Sequence, residues 1–205
     1  MPRGVGYSPR MAEGDLAPKP VSASQVTLVQ LMEITDANIA RIVHGGTIMK
    51  LVDTAAGLAA MKHCGGPAVT VSMDSMSFLA PVRIGDTVMV RASVNDVGRT
   101  SLEVGVRVES ENVLSGERTH TGSAYLVFVA LDEEGKPRPV PGVDAQTQNQ
   151  RRRQKEAKIR RETRLAHKQA ILEHRDKVQR EQVVAPNEDE PQDDEGFPRR
   201  RHLRM

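Results

Sequence analysis

The sequence predicts an α+β fold: one antiparallel five-stranded sheet wrapped around a single long central helix, followed by a charged helix and flanked by disordered termini. Three observations lead there. His44–Cys64, HGGTIMKLVDTAAGLAAMKHC, starts on two glycines and is apolar nearly all round, with only Lys50 and Asp53 charged between Thr47 and Met61. A helix of that kind is buried, and it is too short and too interrupted by charge to span a bilayer. Four β-rich stretches follow, joined by short turns, which favours antiparallel pairing. From Ala145 to Gln182 glycine and proline disappear and strong helix formers take over.

The elements follow in order. Residues 1–21 are rich in proline and glycine with little apolar periodicity, and read as a disordered arm. Gln25–Ile34 is β-branched and apolar, a strand. Thr35–Val43 is a loop, with Asp36 and Asn38 at turn positions. The helix runs from Gly45–Gly46 for about 17 residues at 3.6 per turn and ends near His63–Gly66, where Gly65 and Gly66 offer a C-cap and Pro67 blocks continuation. Ala68–Leu79 alternates in part and reads as the second strand. Asp86–Val97 puts Val88, Val90, Ala92 and Val94 on one face; Ser101–Glu109 does the same with Leu102, Val104, Val106 and Val108. Glu103, on the opposite face, reads as solvated, as does Asp74. Arg118–Leu131 is the fifth strand, and Gly135–Gly142, with three prolines, closes a domain spanning residues 22–142.

A sheet buries one face, and a single apolar helix is the only cover within the chain. The small residues Ala55, Ala56, Gly57, Ala59 and Ala60 let a curved sheet approach closely. Part of the helix still lacks cover, so an oligomer is expected. Residues 143–185 form the charged helix segment and 186–205 a disordered tail. Charge is partitioned to match: net −3 over residues 1–144, +7 over 145–185 and −2 over 186–205. Arg151–Arg153 cluster without interleaved aromatics, which argues against nucleic acid. The thin apolar face argues against membrane insertion.

Composition excludes several classes. With no Trp, three Phe and two Tyr, the core must be aliphatic. The single cysteine, Cys64, excludes an intrachain disulfide and a cysteine-rich metal site, and the six histidines show no ligand spacing. No metal or cofactor is expected. A reduced setting and an N-terminus without a signal-like apolar run make cytoplasmic location the expectation.

One constellation carries chemistry. Gly45–Gly46 starts a helix whose first N–H groups are free and sit at the positive dipole end, a suitable oxyanion hole. Asp53 lies seven residues beyond Gly46, about two turns, on nearly the same face. A carboxylate in an apolar wall serves as general base or as nucleophile, or is a structural group satisfied by nearby amides; the residues alone leave all three open. Asn38 reads as a turn residue or a substrate-orienting amide, and His44 as a hydrogen-bonding residue or a base. Cys64, at the helix end, is a poor candidate nucleophile.

The segment NIARIVHGGTIMKLVDTAAGLAAMKHC, with VTVSMDSMSFLAPVRIGD, GRTSLEVGVRV and YLVFVALDEEGKPRPVP, resembles the hotdog-fold acyl-CoA thioester hydrolases, both broad-specificity bacterial enzymes and cytosolic long-chain hydrolases of animals. The family pattern of Asn, His-Gly-Gly and a helical Asp is matched by Asn38, His44–Gly46 and Asp53. Arg41 departs from it, because many members have a small residue there, often Gly. The resemblance implies hydrolysis of acyl-CoA to free acid and coenzyme A, with Asp53, Asn38 and Gly46 catalytic. It implies sites shared within a homodimer, Asn38 of one copy facing Asp53 of the other, and is compatible with a trimer of dimers. Arg99, Thr100 and Ser101 are implied near the coenzyme, with Lys136 and Arg138 as weaker candidates. His44 and Gly45 are further candidates for substrate binding; Met49, Met76 and Phe78 are candidates for the acyl chain. Rival readings are a non-hydrolytic acyl-CoA-binding regulator and a hotdog dehydratase or hydratase, which would want a histidine opposite Asp53.

Overall fold

The computed structural model describes residues 16–184. Its main elements are β1 (Val26–Leu31), α1 (Gly45–Cys64), β2 (Ala68–Phe78), β3 (Asp86–Val97), β4 (Ser101–Asn112), β5 (Arg118–Ala130) and α2 (Gln148–Val184). The five strands form one sheet in the order β1-β3-β4-β5-β2, and every neighbouring pair is antiparallel. This is the expected hotdog arrangement of a sheet around α1. The two edges are β1 and β2, so the strand that follows the helix ends up across the sheet from the strand that precedes it.

The core is built as the period-two pattern requires. Val88, Val90, Ala92 and Val94 of β3, Leu102, Val104, Val106 and Val108 of β4, and Ala124, Leu126, Phe128 and Ala130 of β5 are buried. They pack with Ile48, Val52, Ala55, Ala56, Ala59 and Ala60 of α1. Gly57 matters for that closeness: a Cβ there would stand 3.5 Å from the Phe128 ring. The helix ends on Gly65, at φ 69°, whose N–H bonds the Met61 carbonyl at 2.8 Å. Two cations finish its negative end: Lys19 Nζ donates to the His63 carbonyl and Arg138 Nη2 to that of Cys64, at 2.9 and 2.7 Å.

Part of α1 lacks cover within one chain, in line with the sequence: Met49, Asp53, Leu58 and Met61 are exposed. One expectation is corrected: the disordered arm does not extend to residue 21. Lys19–Pro20 pairs in parallel with Val143–Asp144, and Val21 is buried. Residues 1–15 and the tail 186–205 lie outside the described residues. β1 stops at Leu31 because the chain turns there into a 3₁₀ segment, Ile34–Asp36.

α2 begins with a reciprocal cap. Gln150 N–H donates to Thr147 Oγ1 at 3.2 Å, and Thr147 N–H to Gln150 Oε1 at 3.0 Å. Residues up to Glu162 belong to the same compact unit as the sheet, and Thr163 onward forms a second unit. Within the first unit, Ala157 is buried, Gln154 bonds Asp96, and Arg160 pairs with Glu103 at 2.6 Å beneath a Tyr125 ring contact of 3.6 Å. Glu103, expected to be solvated, is therefore only 6% exposed. The start of α2 covers the polar side of the sheet. In the second unit, Leu165, Ile171 and Leu172 are exposed. Among the described residues no helix is long and apolar enough to cross a membrane.

Candidate active site

Asp53 projects from the middle of α1 toward edge strand β2, where Thr70 Oγ1 donates to its Oδ1 at 2.7 Å. The contact follows from the fold. Thr70 pairs across the sheet with Phe128, and Phe128 packs on Gly57, one turn beyond Asp53. Both residues of the pair are exposed in the single chain. Val69 and Val71, either side of Thr70 on the edge strand, are exposed apolar residues, as are Leu58 and Met61 of α1. Thr70 was not singled out from sequence: a threonine in a strand is ordinary β-former, and only the sheet register brings it under α1.

The N-terminal end of α1 is occupied differently from expectation. His44 is the N-cap residue, and its Nδ1 accepts from the Gly46 N–H at 2.9 Å. The proton of the ring therefore sits on Nε2. The N–H expected to be free is taken by the histidine. Among the described residues the Gly45 N–H has no hydrogen-bond partner. Phe78, 55% exposed, lies against Gly45, where a Cβ would be 3.4 Å from its ring. Met76 is partly buried against the core, whereas Met49 is exposed.

Asn38 holds a tight loop. Its Oδ1 accepts from the N–H groups of Ala40 and Ile42, at 2.8 and 3.3 Å. With the carbonyl engaged, the amide group it can present outward is the Nδ2 donor. Arg41, inside this loop, sits at φ 59°. That left-handed conformation explains the glycine usual here in the resembled family.

The Gly98–Ser101 turn lies at the other end of β2, in the register row Val69–Val129–Ser101. Arg99 is exposed and Ser101 Oγ meets Arg161 of α2. Arg138, a weaker coenzyme candidate, has its guanidinium committed to the carbonyls of Cys64 and Leu131, while Lys136 is exposed. Cys64 Sγ donates to the Gly66 carbonyl at 3.2 Å, and burial pushes its thiol pKa up. That is the wrong direction for a nucleophile. Among the described residues no group of three or more His, Cys, Asp and Glu is placed to hold a metal.

Comparisons with known proteins give the family. The model of the thioesterase superfamily matches residues 40–116. The uncharacterized acyl-CoA thioester hydrolase YkhA of Bacillus subtilis is 41% identical over 115 residues, 56% of this chain and 67% of that one. An apo-hexameric acyl-CoA thioesterase superposes with a TM-score of 0.72 at 40% identity, covering 74% of this chain and 97% of that one. The acyl-CoA hydrolase of Staphylococcus aureus, solved with butyryl coenzyme A, coenzyme A and coenzyme A disulfide, gives a TM-score of 0.72 at 34% identity, covering 78% and 98%. That hydrolase has also been solved as alanine variants at one asparagine, one aspartate and one threonine, separated by fifteen and seventeen positions. Asn38, Asp53 and Thr70 stand at the same separations here. The chain belongs to the thioesterase superfamily, among the hotdog-fold acyl-CoA hydrolases.

Proposed function

We propose that this protein hydrolyses fatty acyl-CoA to the free acid and coenzyme A at sites shared by two copies of the chain, and that Asp53 drives the attack. The observation that carries the reading is the Asp53–Thr70 bond on an uncovered apolar edge. Thr70 fixes one carboxylate oxygen and leaves Oδ2 for chemistry. That oxygen either takes a proton from the attacking water or bonds the thioester carbonyl carbon itself. In the first route a C–O bond to water forms, the C–S bond breaks, and the proton taken by Asp53 passes to the departing thiolate of coenzyme A. In the second the C–O bond is to Asp53, the thiolate takes its proton from solvent water, and a water then hydrolyses the acyl–Asp53 anhydride, releasing the acid and restoring the carboxylate. Only protein groups and water are used.

The developing oxyanion needs donors. The Gly45 N–H is open at the start of α1. The Gly46 N–H joins it once the His44 ring turns off its cap. The partner's Asn38 supplies the outward-facing Nδ2 donor across the interface. Edge strand β2 argues for that second copy: an unpaired edge carrying exposed Val69 and Val71 is a pairing surface. The hexameric relatives support homo-oligomerisation, and pairing through β2 would make the dimer unit. Phe78 and Met49 border the entry for the acyl chain. The hydratase alternative needs a histidine paired with Asp53, and the side chain bonded to Asp53 is Thr70. A cytoplasmic place fits a substrate made and used there.

A thiol-release assay across acyl-CoA chain lengths tests the reading. Turnover by the wild type and a loss on the order of 10²–10⁴-fold in Asp53→Ala, with melting unchanged, is the expected result. A fully active Asp53→Ala protein overturns it.

A further inference from the structure

The docking of α2 fixes which of its faces looks away from the sheet. Ala157 is buried, Gln154 Nε2 donates to Asp96, Arg160 pairs with Glu103, and Arg161 Nη1 donates to the Val97 carbonyl. At about 100° per residue, Arg152, Lys155, Ile159 and Glu162 lie on the opposite side, with Arg151 and Lys158 beside them. All six are exposed. Four of the six are cations, and exposed Arg153 adds another at the flank. Glu156 takes Arg152, and Arg151 bonds the Ala145 carbonyl. Arg153, Lys155 and Lys158 have no side-chain hydrogen bond or ion pair among the described residues. Residues 145–162 hold seven Lys and Arg against two Glu, whereas residues 1–144 are net −3.

This placement runs against local stability. The first turn of a helix favours acidic residues, because the positive end of the macrodipole lies there. α2 has no acidic residue in its first turn; Arg151 closes that turn, and Arg152 and Arg153 follow. A solvated helix gains nothing from the arrangement, whereas an external anionic surface stabilises it. The apolar content of the outward face is Ile159 alone, at 61% exposure, too little for insertion. α2 contains no Phe, Tyr or Trp on which nucleic-acid bases would stack. Cations set around one aliphatic side chain suit phospholipid headgroups, a dense field of phosphates over hydrocarbon.

We propose that the outward face of α2 is an electrostatic docking surface for an anionic phospholipid bilayer, with Arg151, Arg152, Arg153, Lys155 and Lys158 against the headgroups and the helix lying on the surface rather than in it. A single polybasic patch gives reversible, salt-sensitive adsorption, not anchoring. The benefit rests on the thioesterase reading: a fatty acyl chain buries its CH₂ groups in a bilayer, so adsorption puts the enzyme where such a substrate collects. The contact itself does not depend on that reading.

Vesicle flotation of the full chain reads the contact. Wild type should float with phosphatidylglycerol vesicles and stay behind with phosphatidylcholine vesicles. Raising ionic strength from about 0.1 M to about 1 M shortens the screening length from about 10 Å to about 3 Å and should release it. Each Lys or Arg near an anionic surface contributes about five-fold in partitioning, so Lys155→Gln with Lys158→Gln should weaken binding about 25-fold, and Lys155→Glu with Lys158→Glu further. Neither lysine bonds the sheet, so melting and the turnover of a short, water-soluble acyl-CoA should match wild type in both double variants. Equal flotation of wild type and Lys155→Glu/Lys158→Glu overturns the proposal. Binding to phosphatidylcholine, or binding that survives the high salt, overturns it too. Tighter retention by an RNA or DNA duplex than by vesicles at the same salt assigns the face to nucleic acid and also overturns it. Vesicle binding without any hydrolysis keeps the docking surface and removes the thioesterase; hydrolysis with no vesicle binding does the reverse.

Discussion

Thr70 donates its hydroxyl proton to Asp53 Oδ1 at 2.7 Å across the gap between β2 and α1. The bond orients the carboxylate and leaves one oxygen open. Thr70→Val keeps the shape and removes the donor. We expect kcat to fall roughly ten- to a hundred-fold, the worth of one hydrogen bond to a charged group, with Thr70→Ser close to wild type. Equal activity of Thr70→Val and wild type in the thiol-release assay would remove the orienting role.

The dimer reading has its own test at Val71, which is 56% exposed on the β2 edge. Val71→Lys places a charge in the pairing surface, a device natural edge strands use against association. Analytical ultracentrifugation should show a smaller species, and activity should fall with it if the sites are shared. A Val71→Lys protein of unchanged mass and activity would place the interface elsewhere.

The elements were legible because the sheet alternates and α1 is capped by glycines; β3 begins and ends at the expected residues. Asp53 stood out as a carboxylate on an apolar helix. Thr70 did not, since its role depends on which strand becomes the edge beneath α1. The Gly46 N–H was read as free because the N-cap role of His44 depends on its χ angles. Glu103 was read as solvated because nothing in strand alternation says that a basic helix 57 residues on will supply Arg160. Contacts distant in sequence were the illegible part.

Arg41 holds φ 59° between Asn38 and Ile42. A left-handed conformation costs a non-glycine residue about 1 kcal/mol, so Arg41→Gly should stabilise the protein or at worst be neutral, because glycine's greater unfolded-state entropy offsets part of the gain. The expected rise in Tm is about 2–4 °C for each 1 kcal/mol gained in a chain of this size. A clear fall in Tm would mean that the Arg41 side chain contributes a contact worth more than the backbone strain.

His63 is fully buried in α1, with Nε2 donating to the Pro141 carbonyl at 2.9 Å and Nδ1 without a partner among the described residues. Burial depresses its pKa below the usual 6.5 and the Lys19 amine adds to that, while the Pro141 bond opposes both. Between the folded and unfolded values the unfolded chain binds the extra proton, so stability rises with pH there. This contribution is complete above about pH 6.5, the ordinary histidine value, and is lost as pH falls below it. Urea midpoints should therefore drop between pH 7 and 5.5, and His63→Gln should flatten that slope. An unchanged slope in the variant would assign the acid sensitivity to other groups.

The Arg160–Glu103 pair anchors α2 to the sheet, with Asn95 Nδ2 also donating to Glu103 at 3.3 Å. Glu103 is nearly sealed, while the Arg160 side chain keeps 22% exposure. Removing the cation alone leaves a carboxylate in a pocket built for a pair, which is worse than removing both. Allowing for the partial exposure of Arg160 and its screening by solvent, Arg160→Met should cost about 2 kcal/mol, below the range for a fully buried pair. Adding Glu103→Gln should recover much of it, because the amide needs no counter-charge. Denaturant melts of the two single variants and the double variant close the cycle. Additive losses in that cycle would show that α2 is held by Ala157 and Gln154 rather than by the ion pair.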